Sequence, residues 1–353
     1  MIRSTLDPSI VTYPLGTQPV GPGLAQKIAH GVYWIRMPLP FALNHINLWL
    51  LEDEIDGREG WTLIDCGIDS GPSRKHWQEV IETQLMGKPI LRILATHMHP
   101  DHMGNAHWLS AQFAAPLWMN STEFYAAQFA LASDSGFGGP IASAFMASHG
   151  LNNVEWVEAI KVRSNTYSQM VPRIPQQFVH IEHGQMIKIG DSEWRCIQGH
   201  GHSPEHISLY SEQAKVLISG DMLLPKISTN VSVWATEPLS NPVKQFLDSL
   251  LLFQSVPEDT LVCPSHGIPF NGIEARVNEL TTHHNDRLKE VLEACKQKPQ
   301  SAHDITKFMF SRELDLHQIT FAIGEALAHL HWWWHQGYLT RMKGEDQIYR
   351  FHA

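Results

Sequence analysis

The 353-residue sequence has only four cysteines, Cys66, Cys196, Cys263 and Cys295, and no two of them form a CxxC pair. Such spacing excludes a disulfide-stapled fold and a thiolate zinc site, and reads as scattered core thiols in a reducing compartment. Basic residues are also scarce, with 26 Lys and Arg against 36 Asp and Glu and a net charge of -10. A molecule of that sign repels phosphate backbones, so nucleic acid is disfavoured as a partner. No run of about 18 apolar residues occurs, and Met1 to Gly23 lacks a basic segment followed by an apolar one. Neither membrane insertion nor export is written there, and a cytoplasmic protein is expected. A composition of 43% hydrophobic and 18% charged residues also excludes a largely disordered chain.

What the chain has in excess is histidine. It carries 22, about three times an ordinary share of roughly 2%. Whether these residues cluster as ligands is therefore the question the sequence poses.

The length suggests two domains. Residues 1–24 form an extended lead-in, since Pro8, Pro14, Gly16, Pro19, Gly21, Pro22 and Gly23 block regular structure. A strand-rich α/β region follows over 25–272. Its first half has β-like runs at Gly31–Met37, Ile46–Leu51, Trp61–Asp65 and Leu91–Thr96, with a helix at Ser73–Leu85. Its second half has Phe178–His180, Gln185–Ile189, Glu193–Gln198, Ile207–Ser211 and Val216–Ser219, then a helix at Pro242–Phe253. Between the halves, about 120–175 reads as a helical insertion rich in Phe124, Tyr125, Phe129, Phe137, Phe145 and Met146. These side chains either pack on a core of their own or roof an apolar substrate pocket.

Residues 273–353 change character. Helices at Glu274–Lys296, Ala302–Phe310 and Leu316–Gln336 precede a β hairpin around Lys343–Asp346, a winged-helix-like pattern. From Ala275 onward ten Lys and Arg balance ten Asp and Glu. A DNA-binding unit would be basic, so a structural or dimerising role, in a homodimer, is favoured.

The strongest signal is Thr96-His97-Met98-His99-Pro100-Asp101-His102, directly after a β run. Four metal-ligand types within six residues at a strand end suit a metal site and not a core. Strand alternation turns His97 and His99 the same way, so they can share one ion while Asp101 and His102, past the turn, face another. Neutral imidazoles with a carboxylate suit Zn²⁺, Mn²⁺ or Fe²⁺. Further candidates stand in loops after strands: His202 in Gly201-His202-Ser203-Pro204, Asp221 in Ser219-Gly220-Asp221, and His266 in Pro264-Ser265-His266-Gly267.

Taken together, these motifs make the chain resemble the metallo-β-lactamase-fold hydrolases over about residues 25–270. The resemblance implies an αββα sandwich with a dinuclear centre at one edge. It assigns His97, His99 and His202 to one ion and Asp101, His102 and His266 to the other, with Asp221 bridging. Asp65 in Leu63-Ile64-Asp65-Cys66-Gly67 matches the first motif of the family, where it supports ligands; a turn-forming Asp before Gly67 is the alternative. One departure is His200, in Gln198-Gly199-His200-Gly201-His202, where relatives commonly have proline. The register keeps His202 as the ligand and leaves His200 outside the ligand set or against substrate. His206 also stands near enough in sequence to line the site.

Two ions about 3.5–4 Å apart lower the pKa of a shared water towards about 7, which supplies hydroxide as nucleophile, with Asp101 and Asp221 orienting it and receiving a proton. No Ser or Cys nucleophile is required, and no GxSxG elbow is present. The fold with this type of C-terminal extension resembles a subgroup holding thioesterases and endoribonuclease-like members. The acidic charge, uncharged extension and aromatic insertion favour a thioester or related carboxylic ester, with a small acyl molecule as substrate. The alternatives are a phosphodiesterase acting on single-stranded nucleic acid and a catalytically idle interaction module. A β-lactamase role would require export.

Overall fold

The computed structural model describes residues 6–132, 138–163, 166–310 and 312–353. The chain opens with strands β1 (Ala25–Ala29), β2 (Val32–Pro38), β3 (His45–Ile55) and β4 (Arg58–Ile64). Helix α1 (Gly71–Thr83) and strand β5 (Ile90–Leu94) follow, then α2 (Pro100–Met103), α3 (Ala106–Phe113) and β6 (Leu117–Met119). Helices α4 (Ser121–Ala132), α5 (Gly139–Ser148), α6 (Val154–Lys161) and α7 (Thr166–Met170) lead to β7 (Phe178–His180). These strands form a seven-stranded sheet in chain order, antiparallel from β1 to β4 and parallel from β4 to β7.

A second sheet contains β8 (Met186–Ile189), β9 (Ser192–Gly199), β10 (His206–Ser211) and β11 (Val216–Gly220). Helix α8 (Pro242–Leu250) then crosses over to β12 (Leu261–Pro264), giving the order β12-β11-β10-β9-β8. Helices α9 (Ile273–Gln297), α10 (Ala302–Met309) and α11 (Leu316–His335) precede a separate ribbon of β13 (Thr340–Lys343) and β14 (Tyr349–His352).

The layers follow from burial. Trp34, Trp49 and Leu94 meet Trp194, Leu209 and Ile218 between the sheets. Trp77, Leu109 and Phe124 cover the outer face of the first sheet, while Phe246, Leu280 and Leu327 lie in the core beyond the second. The result is an αββα sandwich. Helix α1 shows the local logic: Ser70 caps its first turn by accepting from Ser73 N, Pro72 sits where no N–H is needed, and Ser73, Trp77 and Val80 fall on one buried face. Strand β11 is buried along its whole length, as an interior strand covered on both faces requires.

Two features depart from the sequence reading. Strands β1 and β6 were not anticipated; β6 has three residues, too few for alternation to register. Because β6 and β7 pair in parallel, the 120–175 stretch is the crossover joining them. Its aromatics do not form one core of their own: Phe124 joins the core under the first sheet, Phe145 and Met146 join the core under the second, and Tyr125 and Phe129 are exposed. Phe137 lies outside the described residues.

Parallel pairing of β4 with β5 and of β11 with β12 sends four strand ends to the same edge of the sandwich. Asp65 follows β4, Thr96 to His102 follow β5, Asp221 follows β11, and His266 follows β12.

Candidate metal centre

At that edge, two groups among the described residues could hold a metal ion: His97, His99, His202 and Asp221, and beside them Asp101, His102 and His266. His97 Nε2 lies 2.9 Å from His99 Nδ1 and 3.2 Å from His202 Nε2. Ligand atoms around a tetrahedral ion with 2.0–2.1 Å bonds to nitrogen stand about 3.3 Å apart, so the three nitrogens fit one such ion. Asp221 turns Oδ2 to His202 Nε2 at 3.2 Å, and its Oδ1 stands 3.4 Å from His266 Nε2 and 3.7 Å from His102 Nε2. One carboxylate thus presents an oxygen to each group. Asp101 Oδ2 completes the second group, 3.4 Å from His266 Nε2 and 3.7 Å from His102 Nε2.

The rings are held from behind. His97 Nδ1 lies 3.0 Å from Thr96 Oγ1, and His102 Nδ1 lies 2.7 Å from Asp65 Oδ2. His202 Nδ1 donates to Asn230 O and His266 Nδ1 to His45 O, each at 2.8 Å. Such contacts place the proton on Nδ1 and leave the Nε2 lone pair facing inward, as a metal ligand requires. His102 Nε2 and Asp221 Oδ1 are buried without a hydrogen-bond partner. Two orphaned atoms 3.7 Å apart are what a cation between them would satisfy.

The electrostatics agree with that donor set. Burial and the neighbouring imidazoles hold His97 far below its ordinary pKa; burial, then His202, takes His99 down to about 3. Both rings are therefore neutral donors. Burial also opposes charge on His102 and His266, but Asp65 and Asp101 lift the first well above its usual value, and Asp221 and Asp101 lift the second to about 10. Against its own burial, Asp101 is pulled down to about 2 by His102 and His266. A potential that draws protons onto buried imidazoles also attracts a divalent cation in their place.

Asp65 has φ +60°, in the left-handed region that few non-glycine residues adopt, and there its carboxylate accepts from Thr96 N, Thr96 Oγ1 and His102 Nδ1. His206 lies just behind the cluster: its Nε2 accepts from Asp221 N at 3.1 Å, and it packs so closely on Gly220, at φ +55°, that a Cβ there would overlap the ring. His200 is turned elsewhere, donating from Nδ1 to Pro204 O at 2.7 Å and so closing the turn that carries His202.

Several residues that hold the site were not found from sequence. Glu123 of α4 is fully buried and accepts from Met98 N, Ser203 Oγ and Glu205 N, joining the two ligand loops with one carboxylate. Tyr167 of α7 donates to Met98 O at 2.7 Å. Asn47 donates to Pro264 O and Gly267 O on either side of His266. The one sequence signal was Glu123 itself, a lone acid early in an otherwise uncharged helix.

Comparison with known proteins bears on this geometry. Residues 43–266 match the Metallo-beta-lactamase superfamily, and residues 288–353 match the Metallo-beta-lactamase-like, C-terminal domain. The chain belongs to the metallo-beta-lactamase superfamily. It is similar to a beta-lactamase domain protein from Burkholderia ambifaria of known crystal structure, with 46% identity and a TM-score of 0.92 over 98% of this chain and 99% of that one. A probable metallo-hydrolase of Bacillus subtilis, YqjP, is 23% identical over 84% of this chain and 90% of its own length. The human acyl-coenzyme A thioesterase MBLAC2 is 24% identical over 56% of this chain and 65% of its own. As a member of this superfamily the protein is a metal-dependent hydrolase, with a His and Asp cluster able to hold metal ions. No helix among the described residues is long and apolar enough to cross a membrane.

Proposed function

We propose that the protein is a dinuclear hydrolase of thioesters or related carboxylic esters, with an acyl-CoA or similar small acyl molecule as substrate and Zn²⁺ as the favoured metal. The dinuclear reading is carried by Asp221, whose two oxygens face two separate ligand groups. His97, His99 and His202 would hold one ion, Asp101, His102 and His266 the other, and Asp221 would touch both. When bound, the ions supply an activated water and a Lewis acid for the scissile carbonyl.

The chain's own residues do the rest. Without metal, His102 and His266 hold Asp101 and Asp221 ionised, and bound ions would do so in their place. The Asp101 side chain is 19% exposed against 9% for Asp221, so Asp101 is the carboxylate that faces an incoming substrate and can orient water or take its proton. Asp65, Thr96, Asn230 and His45 keep the imidazoles fixed while charge develops.

The choice of ester over phosphodiester is supported by the relative named an acyl-coenzyme A thioesterase and by the net charge of -10. A row of rings links two segments that anchor candidate ligands. Phe41 stacks on His317 with centroids 5.5 Å apart, His317 meets Phe321, and Phe321 meets Trp234 edge-on at 5.6 Å. This row joins the segment ending at His45 to the segment beginning at Asn230, the two that anchor His266 and His202. An acyl chain laid along it would bring its carbonyl towards the ligands.

The test is thiol release from medium-chain acyl-CoA by zinc-loaded protein. Turnover should vanish with chelator, and should fall at least a hundredfold in Asp101→Asn and His202→Ala. Silence from a protein shown to hold two ions would reject acyl-CoA and bring single-stranded RNA forward as the next substrate to assay.

A further inference from the structure

Helix α11 lies outside the 43–266 match, yet it reaches the framework of the metal centre. Val233 N donates to Gly324 O at 3.1 Å, and Ser232 Oγ stands 3.4 Å from Phe321 O. The Asn230 side chain accepts from Ser232 Oγ at 2.8 Å, and the Glu325 carboxylate faces its amide. Gly324 makes this approach possible: a Cβ there would sit 2.8 Å from both Cβ and Oγ of Ser232. The segment so gripped carries Asn230 O, which accepts from His202 Nδ1 at 2.8 Å.

We propose that α11 positions a metal ligand: through Val233 and Ser232 it grips the segment whose Asn230 O fixes the ring of His202, with Gly324 setting the distance between helix and segment and Glu325 against the Asn230 amide. This inference rests on reading His202 as a ligand. With the Glu325 carboxylate removed, the Asn230 amide loses the acceptor beside it and the carbonyl behind His202 is less firmly held. Partners of ligand histidines typically tune metal affinity or activity by about 10- to 100-fold, so the expected effect lies in that range. Glu325 is a positioning residue, two contacts away from the His202 ring.

The experiment uses the full chain, stripped of metal and titrated with Co²⁺ while its ligand-field absorption is recorded. The wild type should bind two ions. Glu325→Ala should bind one of them at least tenfold more weakly with an altered absorption band, and Gly324→Ala should change the same band, which keeps the test open where Glu325→Ala impairs folding. Glu325→Gln keeps an acceptor oxygen for Asn230 and should stay within about twofold of wild type, as conservative replacement of an outer partner allows. Leu330→Val, on the same helix within the core, should lower the melting temperature and leave both ions and the spectrum intact. Unchanged cobalt binding and spectrum in Glu325→Ala and Gly324→Ala would overturn the proposal. So would an equal spectral change in Leu330→Val, which would mark a general loosening. A wild type that takes up no cobalt would instead remove the ligand assignment on which the proposal rests.

Discussion

Asp65 shows how a single residue can be both strained and densely bonded. Its left-handed backbone costs on the order of 1–3 kcal/mol, and in return its carboxylate collects the Thr96 amide, the Thr96 hydroxyl and His102 Nδ1. Asp65→Asn keeps the size but removes the charge that lifts His102, so the second ion should bind about 10- to 100-fold more weakly. Metal stoichiometry by atomic absorption after dialysis against a graded chelator would show this, and unchanged retention would return Asp65 to a turn-forming role. At this scale the candidate ligands could be picked out because His97, His99, Asp101 and His102 are nearly contiguous and the others stand in loops after strands, and the fold brings them together. Glu123, Asn47 and Asn230 were not, because each acts on residues tens to hundreds of positions away and carries no local spacing. His200 shows the opposite case, a histidine inside a motif whose ring serves its own turn.

At the scale of elements, the His-Trp-Trp-Trp-His run on α11 stands out in the sequence, and the structure places its first member within the core. His329 and His331 are buried, and His284 on α9 lies 3.2 Å from His329. Burial takes His329 down to about 4 and His331 to about 3, while Nδ1 of each donates to a main-chain oxygen. Their folded pKa values lie below the unfolded value near 6.5, so their stabilising contribution is complete above pH 6.5 and is lost as pH falls towards the folded values. Between pH 7 and pH 5 each such histidine lowers stability by about 2 kcal/mol, because the unfolded chain takes up a proton that the folded chain refuses. Urea unfolding at the two pH values should show the loss, and His331→Gln should reduce it; a pH-independent midpoint would mean the rings are protonated in the fold. Sequence periodicity located α9 to α11 within one or two residues, since long amphipathic runs register well, whereas the three-residue β6 escaped it.

For the molecule as a whole, residues 43–266 and 288–353 match two separate family descriptions. The packing argues for tighter coupling. One core contains Val231, Val233 and Phe246 from the sandwich together with Leu280, Ile323 and Leu327 from α9 and α11. Helix α9 starts at Ile273 and runs unbroken to Gln297, past residue 288 where the second match begins. Cutting the chain after Gly272 would strip that core of its outer half. Each large apolar side chain exposed would cost about 1.5–3 kcal/mol, and a handful equals the stability of a typical domain. The full chain should therefore unfold in one calorimetric transition whose van't Hoff and calorimetric enthalpies agree. Added Zn²⁺ should move that whole transition upward, because a ligand bound to the native edge stabilises everything that unfolds with it. Two transitions, with only the first responding to zinc, would show instead that the helices after Gly272 stand apart from the metal centre.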